Sequence, residues 1–363
     1  MGKIQLVSGH TWTYIDANPE GQIALLCLHG FPDLSYGYRH QIGGWARAGF
    51  RVIVPDMLGY GGSDAPIDVA RYTTKTLSTD LDALLTALGI ARVVLIGHDW
   101  GSFTAGRFAL WYPERLLALA LFSVPFTPPS RGVVSLEHVA KRAPNLGYQL
   151  FLASPQAAPT LEANLPYFLT TIFAPPHAHV DFTASGSLED LLSTSPTSAL
   201  TMPSVLSPFE RDVYLAAFRA RGMTGPTNYY RTTRLRAEEE LHAAQAGRVL
   251  ALPSVPVLAV HGAKDATVAP AALEGQRRTI PPERLTERVM GGVGHWVLVE
   301  GVAELSSDAI FNPSANPTDP LAPWRDALNA GSWKDGKGDG GVLGRMVVEW
   351  LRDVGVTGQR AKM

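Results

Sequence analysis

Cysteine is almost missing from this sequence: Cys27 stands alone among 363 residues, so no disulfide can form within the chain and cross-linked scaffolds are excluded. It lies inside the apolar run 23–28, which makes it a core residue and fits a reducing compartment. Long apolar runs are also missing. No stretch approaches the roughly 18 residues needed to span a bilayer, and the opening Met1-Gly2-Lys3-Ile4-Gln5 lacks the charged-then-apolar pattern of a secretion signal. A cytoplasmic protein without a membrane span is expected, although Ala361-Lys362-Met363 distantly resembles the peroxisomal Ser-Lys-Leu address. Excess charge is the third absence. The 31 basic residues against 33 acidic ones leave a net charge of −2, so no electrostatic footprint points to nucleic acid or an anionic membrane. A small uncharged substrate suits that balance. No cluster of side chains has metal-ligand spacing, so neither metal nor organic cofactor is expected.

What is present is an alternation of apolar runs and helical segments. A hairpin over Ile4–Val7 and Thr11–Asp16 leads into strand-like runs at Ile23–Leu28, Arg51–Val54, Val93–Ile96 and Leu117–Val124. Leu77, Leu81, Leu84, Leu85 and Leu88 recur at helical spacing before Gly89, and Ser102–Trp111 reads as a second helix stopped by Pro113. The pattern predicts an α/β fold with a mostly parallel central sheet covered on both faces. From Thr127 the character changes to short helical stretches punctuated by proline, without strand alternation. We read 127–250 as an all-helical cap inserted between two parts of the core, 1–126 and 251–363. Strand-like runs return at Val255–Val260 and Leu285–Val289, and an amphipathic helix at Val342–Val354 closes the fold. Between them 312–341, rich in Pro, Gly, Asp and Trp, reads as an excursion loop.

The chemistry starts at Gly97-His98-Asp99-Trp100-Gly101, between a strand-like run and a helix. A strand, sharp turn and helix with small flanking residues is the setting of a nucleophile elbow, whose apex side chain stands clear of the sheet. Here the apex is an aspartate, so a carboxylate is presented for attack. The competing reading is an ordinary turn with an Asp helix cap. An aspartyl ester would need a base for water and an acid to orient that base. Asp265 follows the strand Val255–Val260, and His295 in Gly291-Gly292-Val293-Gly294-His295 follows the next, on what reads as a flexible glycine-rich loop. Nucleophile, acid and histidine therefore come in the chain order of α/β-hydrolases, each beyond a strand end, where α/β active sites collect. His29-Gly30-Phe31-Pro32 follows Ile23–Leu28 and would supply the backbone N–H of Phe31 as one oxyanion donor, with that of Trp100 as the second. His29 reads as structural. Ser63 in Gly61-Gly62-Ser63-Asp64 superficially suits a serine nucleophile, but it runs into Pro66 instead of a helix.

Taken together, His29-Gly30-Phe31-Pro32, Gly59-Tyr60-Gly61-Gly62-Ser63, Gly97-His98-Asp99-Trp100-Gly101 and Gly294-His295-Trp296 resemble the motifs of the α/β-hydrolase-fold epoxide hydrolases, over nearly the whole chain. The resemblance implies two cap tyrosines that hold and protonate the epoxide oxygen. Tyr148 and Tyr230 stand at matching places, with Tyr229 an adjacent alternative for the second. It implies conversion of a small apolar epoxide to a vicinal diol: Asp99 forms a hydroxyalkyl ester, and water activated by His295, supported by Asp265, hydrolyses it. Phe31, Trp100, Phe151, Phe168, Phe173 and Trp296 are expected to line the pocket, in a monomer or homodimer. Two rivals share the core: a haloalkane or haloacid dehalogenase using the same aspartate, and a non-catalytic ligand receptor. Against the first, Phe31 offers no side-chain halide donor and no arginine follows Asp99 directly.

Overall fold

The computed structural model describes residues 2–194, 202–300, 321, 325, 328, 329, 334 and 340–357, and among these the apolar runs assemble one eight-stranded sheet. The strands are β1 (Gly2–Gln5), β2 (Thr11–Ala17), β3 (Ala24–Leu28), β4 (Arg51–Pro55), β5 (Val93–His98), β6 (Leu116–Phe122), β7 (Val257–Gly262) and β8 (Leu285–Met290). Their spatial order is β1-β2-β4-β3-β5-β6-β7-β8. Pairing is antiparallel for β1 with β2 and β2 with β4, and parallel for the rest. Every residue of β3 and β5 is buried, as a parallel sheet covered on both faces requires. Registers Leu28↔Gly97 and His98↔Phe122 bring the carboxyl ends of the central strands to one edge, and the candidate residues follow those ends.

Several boundaries differ from the sequence reading for identifiable reasons. β1 ends at Gln5 because Leu6 to Gly9 forms the turn: Gly9 N–H donates to Leu6 O and Leu6 N–H to His10 O, leaving Val7 exposed. β6 stops at Phe122 because Ser123 turns to a φ of 64°. The leucine-rich helix spans Thr74–Ala87, and the Thr73 hydroxyl caps it by accepting from Thr76 N–H. The closing helix is Gly341–Asp353.

Among the described residues the stretch between β6 and β7 contains helices and no strand, from Leu136–Arg142 to Thr233–Gln245. Buried polar contacts tie it to the sheet. Arg39 pairs with Glu210 at 2.6 Å, Arg107 with Glu240 at 3.0 Å, and the Tyr214 hydroxyl donates to Asp33 at 2.6 Å. No helix among the described residues is long and apolar enough to cross a membrane.

Most of the expected excursion over 312–341 lies outside the described residues, as does Ala361–Met363. Arg325, within that stretch, is fully buried and its Nη1 donates to Asp56 Oδ2 at 2.6 Å, with the carboxylate equally buried. Asp56 also accepts from Gly62 N–H and Ser35 N–H, so one ion pair joins the insertion to the loops after β3 and β4. Removing one partner leaves a buried charge uncompensated. Arg325→Met is expected to destabilise the fold by about 3–5 kcal/mol in urea unfolding; a loss below about 1 kcal/mol would show that Asp56 is compensated without Arg325, for example by the Gly62 and Ser35 N–H groups.

Candidate active site

The turn after β5 is so tight that its sequence is fixed by contact distances. A Cβ on Gly97 would lie 2.3 Å from Gly101 O, and one on Gly101 would lie 2.0 Å from Leu28 O. Asp99 between them has φ 53° and ψ −121°, a conformation that side chains rarely adopt, and the helix Trp100–Trp111 starts at the next residue instead of at Ser102. The aspartate is therefore the apex of an elbow. Its side chain accepts no helix-capping hydrogen bond, which removes the simple cap reading.

Each oxygen of Asp99 faces a different partner. Oδ1 accepts from Phe31 N–H at 2.7 Å, across Gly30, where a Cβ would lie 2.3 Å from that oxygen. Oδ2 lies 3.5 Å from His295 Nε2. On the other side of the imidazole, His295 Nδ1–H donates to Asp265 Oδ2 at 2.9 Å. Thr267 donates to Asp265 Oδ1 through both its N–H (2.9 Å) and its hydroxyl (2.7 Å).

The loop carrying His295 is clamped, contrary to its glycine-rich appearance. The His295 carbonyl accepts from Ser123 Oγ at 2.7 Å and from His98 Nε2 at 2.9 Å. Glu300 holds the flanks, accepting from Gly294 N–H and Trp296 N–H. Glycine here serves close packing: a Cβ on Gly294 would lie 2.7 Å from the Pro176 ring.

A cavity of about 420 Å³ opens above these groups, bordered by Asp99, Asp265, His295, Phe31 and Trp296 and, from the helical stretch, by Tyr148 and Tyr230. The Tyr148 and Tyr230 rings are 6.4 Å apart, and Tyr230 also stands edge-on to Phe31 and Trp100 at 5.1 Å each. Tyr229 points elsewhere, its hydroxyl donating to Leu58 O at 2.9 Å. Close backbone contact sets that part of the chain: a Cβ on Gly225 would lie 2.7 Å from Gly59 Cα.

Four expected lining residues stand one layer back. Phe173 stacks on Trp296 at 4.0 Å, Phe168 packs behind Phe31 at 5.9 Å, Trp100 supports Tyr230, and Phe151 is buried among the core side chains. Apolar residues at helical spacing on short helices face neighbouring helices first, so aromatic type alone does not separate lining from packing. Ile172, Pro175, Pro176, Val180, Phe182 and Thr267 border the cavity without having been anticipated. For Thr267 a signal existed: an aspartate accepting from the backbone two residues on is a common turn.

Electrostatics divides the site into charged and neutral parts. Burial pulls the His295 pKa down, but the adjacent Asp265 carboxylate, its hydrogen bond and Asp99 outweigh this and raise it to about 10. For Asp265 burial acts upward, yet the His295 charge and the hydrogen bonds from His295 and Thr267 hold it below the usual carboxylate range. Burial pushes the Tyr148 and Tyr230 hydroxyls well above the ordinary phenol range, so both stay protonated donors. His29 is held neutral by burial, accepting from Met57 N–H and donating to Gly30 O, as its structural reading requires. Ser63 is buried, donating to Asp56 O and accepting from Thr13 N–H, and does not reach the cavity. Among the described residues no group of three or more His, Cys, Asp or Glu could hold a metal ion.

Residues 23–302 match the family model described as the alpha/beta hydrolase fold. The epoxide hydrolase srdG of Neurospora crassa is 31% identical over 320 residues, covering 82% of this chain and 90% of that protein. This chain belongs to the α/β-hydrolase-fold epoxide hydrolases. A bifunctional epoxide hydrolase 2 of Sus scrofa is also 31% identical, over 79% of this chain, which spans half the length of that relative. In three dimensions the family likeness extends to the crystal structure of epoxide hydrolase A from Mycobacterium thermoresistibile, with TM-score 0.67, 29% identity and coverage of 82% of this chain and 92% of that one. As in the family, the chain is a hydrolase of the α/β fold.

Proposed function

We propose that this chain adds water to an epoxide through a covalent ester on Asp99, with residues 127–250 acting as the cap that supplies both proton donors. The observation that carries the reading is one cavity bordered by Asp99 and His295 on the sheet side and by Tyr148 and Tyr230 from the helical stretch. A carboxylate with two neutral phenols opposite suits a substrate whose leaving group is an oxygen on the same molecule. Asp99 Oδ2, facing away from the Phe31 amide, attacks an epoxide carbon from behind. The ring C–O bond breaks, and the tyrosine hydroxyls take the alkoxide into hydrogen bonds. Both phenols stay protonated in the resting site, so they donate hydrogen bonds to the alkoxide as it forms, and its proton is drawn through them from water.

His295 then acts as the base for a water molecule that attacks the carboxyl carbon of the ester. Oδ1 becomes the oxyanion, beside the Phe31 N–H that already donates to it at 2.7 Å. Trp100 is the first residue of its helix, so its N–H has no partner within that helix and serves as the second donor. The C–O bond of the ester breaks, the diol leaves and Asp99 is regenerated. Apolar walls from Phe31, Ile172, Val180, Phe182 and Trp296 suit a small apolar epoxide.

A single turnover of excess enzyme with styrene oxide in oxygen-18 water tests this reading. Label in the Asp99 carboxylate with unlabelled diol is the expected result. Labelled diol with unlabelled Asp99 would mean direct attack by water and would overturn it.

A further inference from the structure

We infer that Thr267 is a positioning residue for ester hydrolysis, holding the Asp265–His295 pair in register through one hydroxyl that touches both. This rests on the reading above, in which His295 is the base. The Thr267 hydroxyl donates to Asp265 Oδ1 at 2.7 Å, and the same oxygen lies 3.0 Å from His295 Nδ1. Since Nδ1–H also donates to Asp265 Oδ2 at 2.9 Å, it is shared between a charged acceptor and a neutral one. The hydroxyl's proton points to one member of the pair and its lone pair faces the other.

Two physical consequences follow. Asp265 has both oxygens engaged, so its carboxylate cannot rotate away from the imidazole; without the hydroxyl, Oδ1 keeps only the Thr267 N–H at 2.9 Å among the described contacts. The second acceptor also fixes the proton on Nδ1, which leaves Nε2 turned to Asp99 as the basic nitrogen. Alkylation of Asp99 does not need a basic Nε2; hydrolysis of the ester does. Thr267 should therefore affect only the second half of the reaction. The loop that presents it is anchored from the helical stretch, where Asn145 Nδ2 donates to Ala266 O at 3.0 Å, three residues before Tyr148.

Thr267→Val removes the hydroxyl at nearly constant shape, and Thr267→Ser keeps it. Rapid-quench kinetics with styrene oxide and intact-protein mass spectrometry would follow ester formation and ester decay separately. For Thr267→Val we expect decay slowed about 10- to 100-fold, by analogy with the loss seen when hydrogen-bond partners of metal-ligating histidines are removed, with ester formation within about threefold of the parent. Thr267→Ser should match the parent in both steps. The low-field proton resonance of His295 Nδ1–H should shift in the valine variant and stay in the serine variant. Decay unchanged in Thr267→Val, both steps slowed alike, or serine failing as valine does, would each overturn the inference while leaving the aspartyl-ester reading in place. Absence of any ester in the parent and both variants would overturn both.

Discussion

Asp99→Ala is expected to lower diol formation by at least about 10⁴-fold, the scale seen when a nucleophile is removed from a triad whose members act as one unit. Among the described residues the other carboxylates near the site are engaged: Asp265 is turned to Nδ1 of the imidazole and held by Thr267, and Glu300 accepts from backbone amides on the loop flank. The variant should also show no mass increase after incubation with epoxide. A stability measurement belongs beside the activity. Asp99 holds φ 53° with help from the Phe31 N–H bond at 2.7 Å, and alanine keeps the strain but loses the bond. Thermal unfolding should therefore show a folded protein with reduced stability, by about 1–3 kcal/mol, the cost of leaving the buried Phe31 N–H without its acceptor. A cooperative transition with activity absent places the loss in the chemistry. Turnover within tenfold of the parent enzyme would remove Asp99 from the mechanism.

The sequence carried the core of this site because the core depends on short-range rules. Tight-turn glycines around Asp99, apolar runs ending just before Asp265 and His295, and the chain order of the three all reflect local backbone demands. The helix Arg39–Arg47 buries Gln41, Ile42, Trp45 and Ala46 on one face, a pattern its sequence hides because Gly43 and Gly44 interrupt it and one of the buried residues is polar, and the helix Pro270–Thr279 buries only Gln276. Trp45 still anchors the first, donating through Nε1 to Gly344 O, a contact 299 residues away in sequence. Pocket lining was illegible for a related reason. Whether Phe173 or Phe182 faces the cavity depends on how short helices pack against one another, and their residue types are the same. Tyr230 was separated from Tyr229 only by a tertiary bond, that of Tyr229 to Leu58 O. The rigid histidine loop is a further case, since its stiffness comes from Ser123, His98 and Glu300, none of which its glycines reveal.

His295→Gln should stop the reaction halfway. Ester formation needs the carboxylate and the phenols, so one equivalent of epoxide should be consumed and the protein mass should rise by the mass of the substrate, with later turnover down by about 10³-fold or more. In the proposed mechanism the electrostatics of the site would carry the parent enzyme past this point. In the resting site His295 lies beside two carboxylates, which raise its pKa to about 10, so it enters the reaction as the imidazolium. In the proposed cycle esterification would remove the charge of Asp99 and with it part of that support, so the imidazole would release its proton to solvent, while the alkoxide held by the phenols is protonated from water. The neutral imidazole is then the base that hydrolysis requires, and regenerating Asp99 restores the charge that protonates it again. The cycle closes with no net proton exchanged. A stability signature accompanies it: with a folded pKa of about 10 against about 6.5 unfolded, His295 contributes stability that is fully present below pH ~6.5 and is lost as pH rises towards about 10. The stability gap between the parent and His295→Gln should therefore narrow between pH 6 and 9 in urea unfolding. A gap that stays constant would show that the resting imidazole is neutral, and normal turnover by the variant would show that another group activates the water.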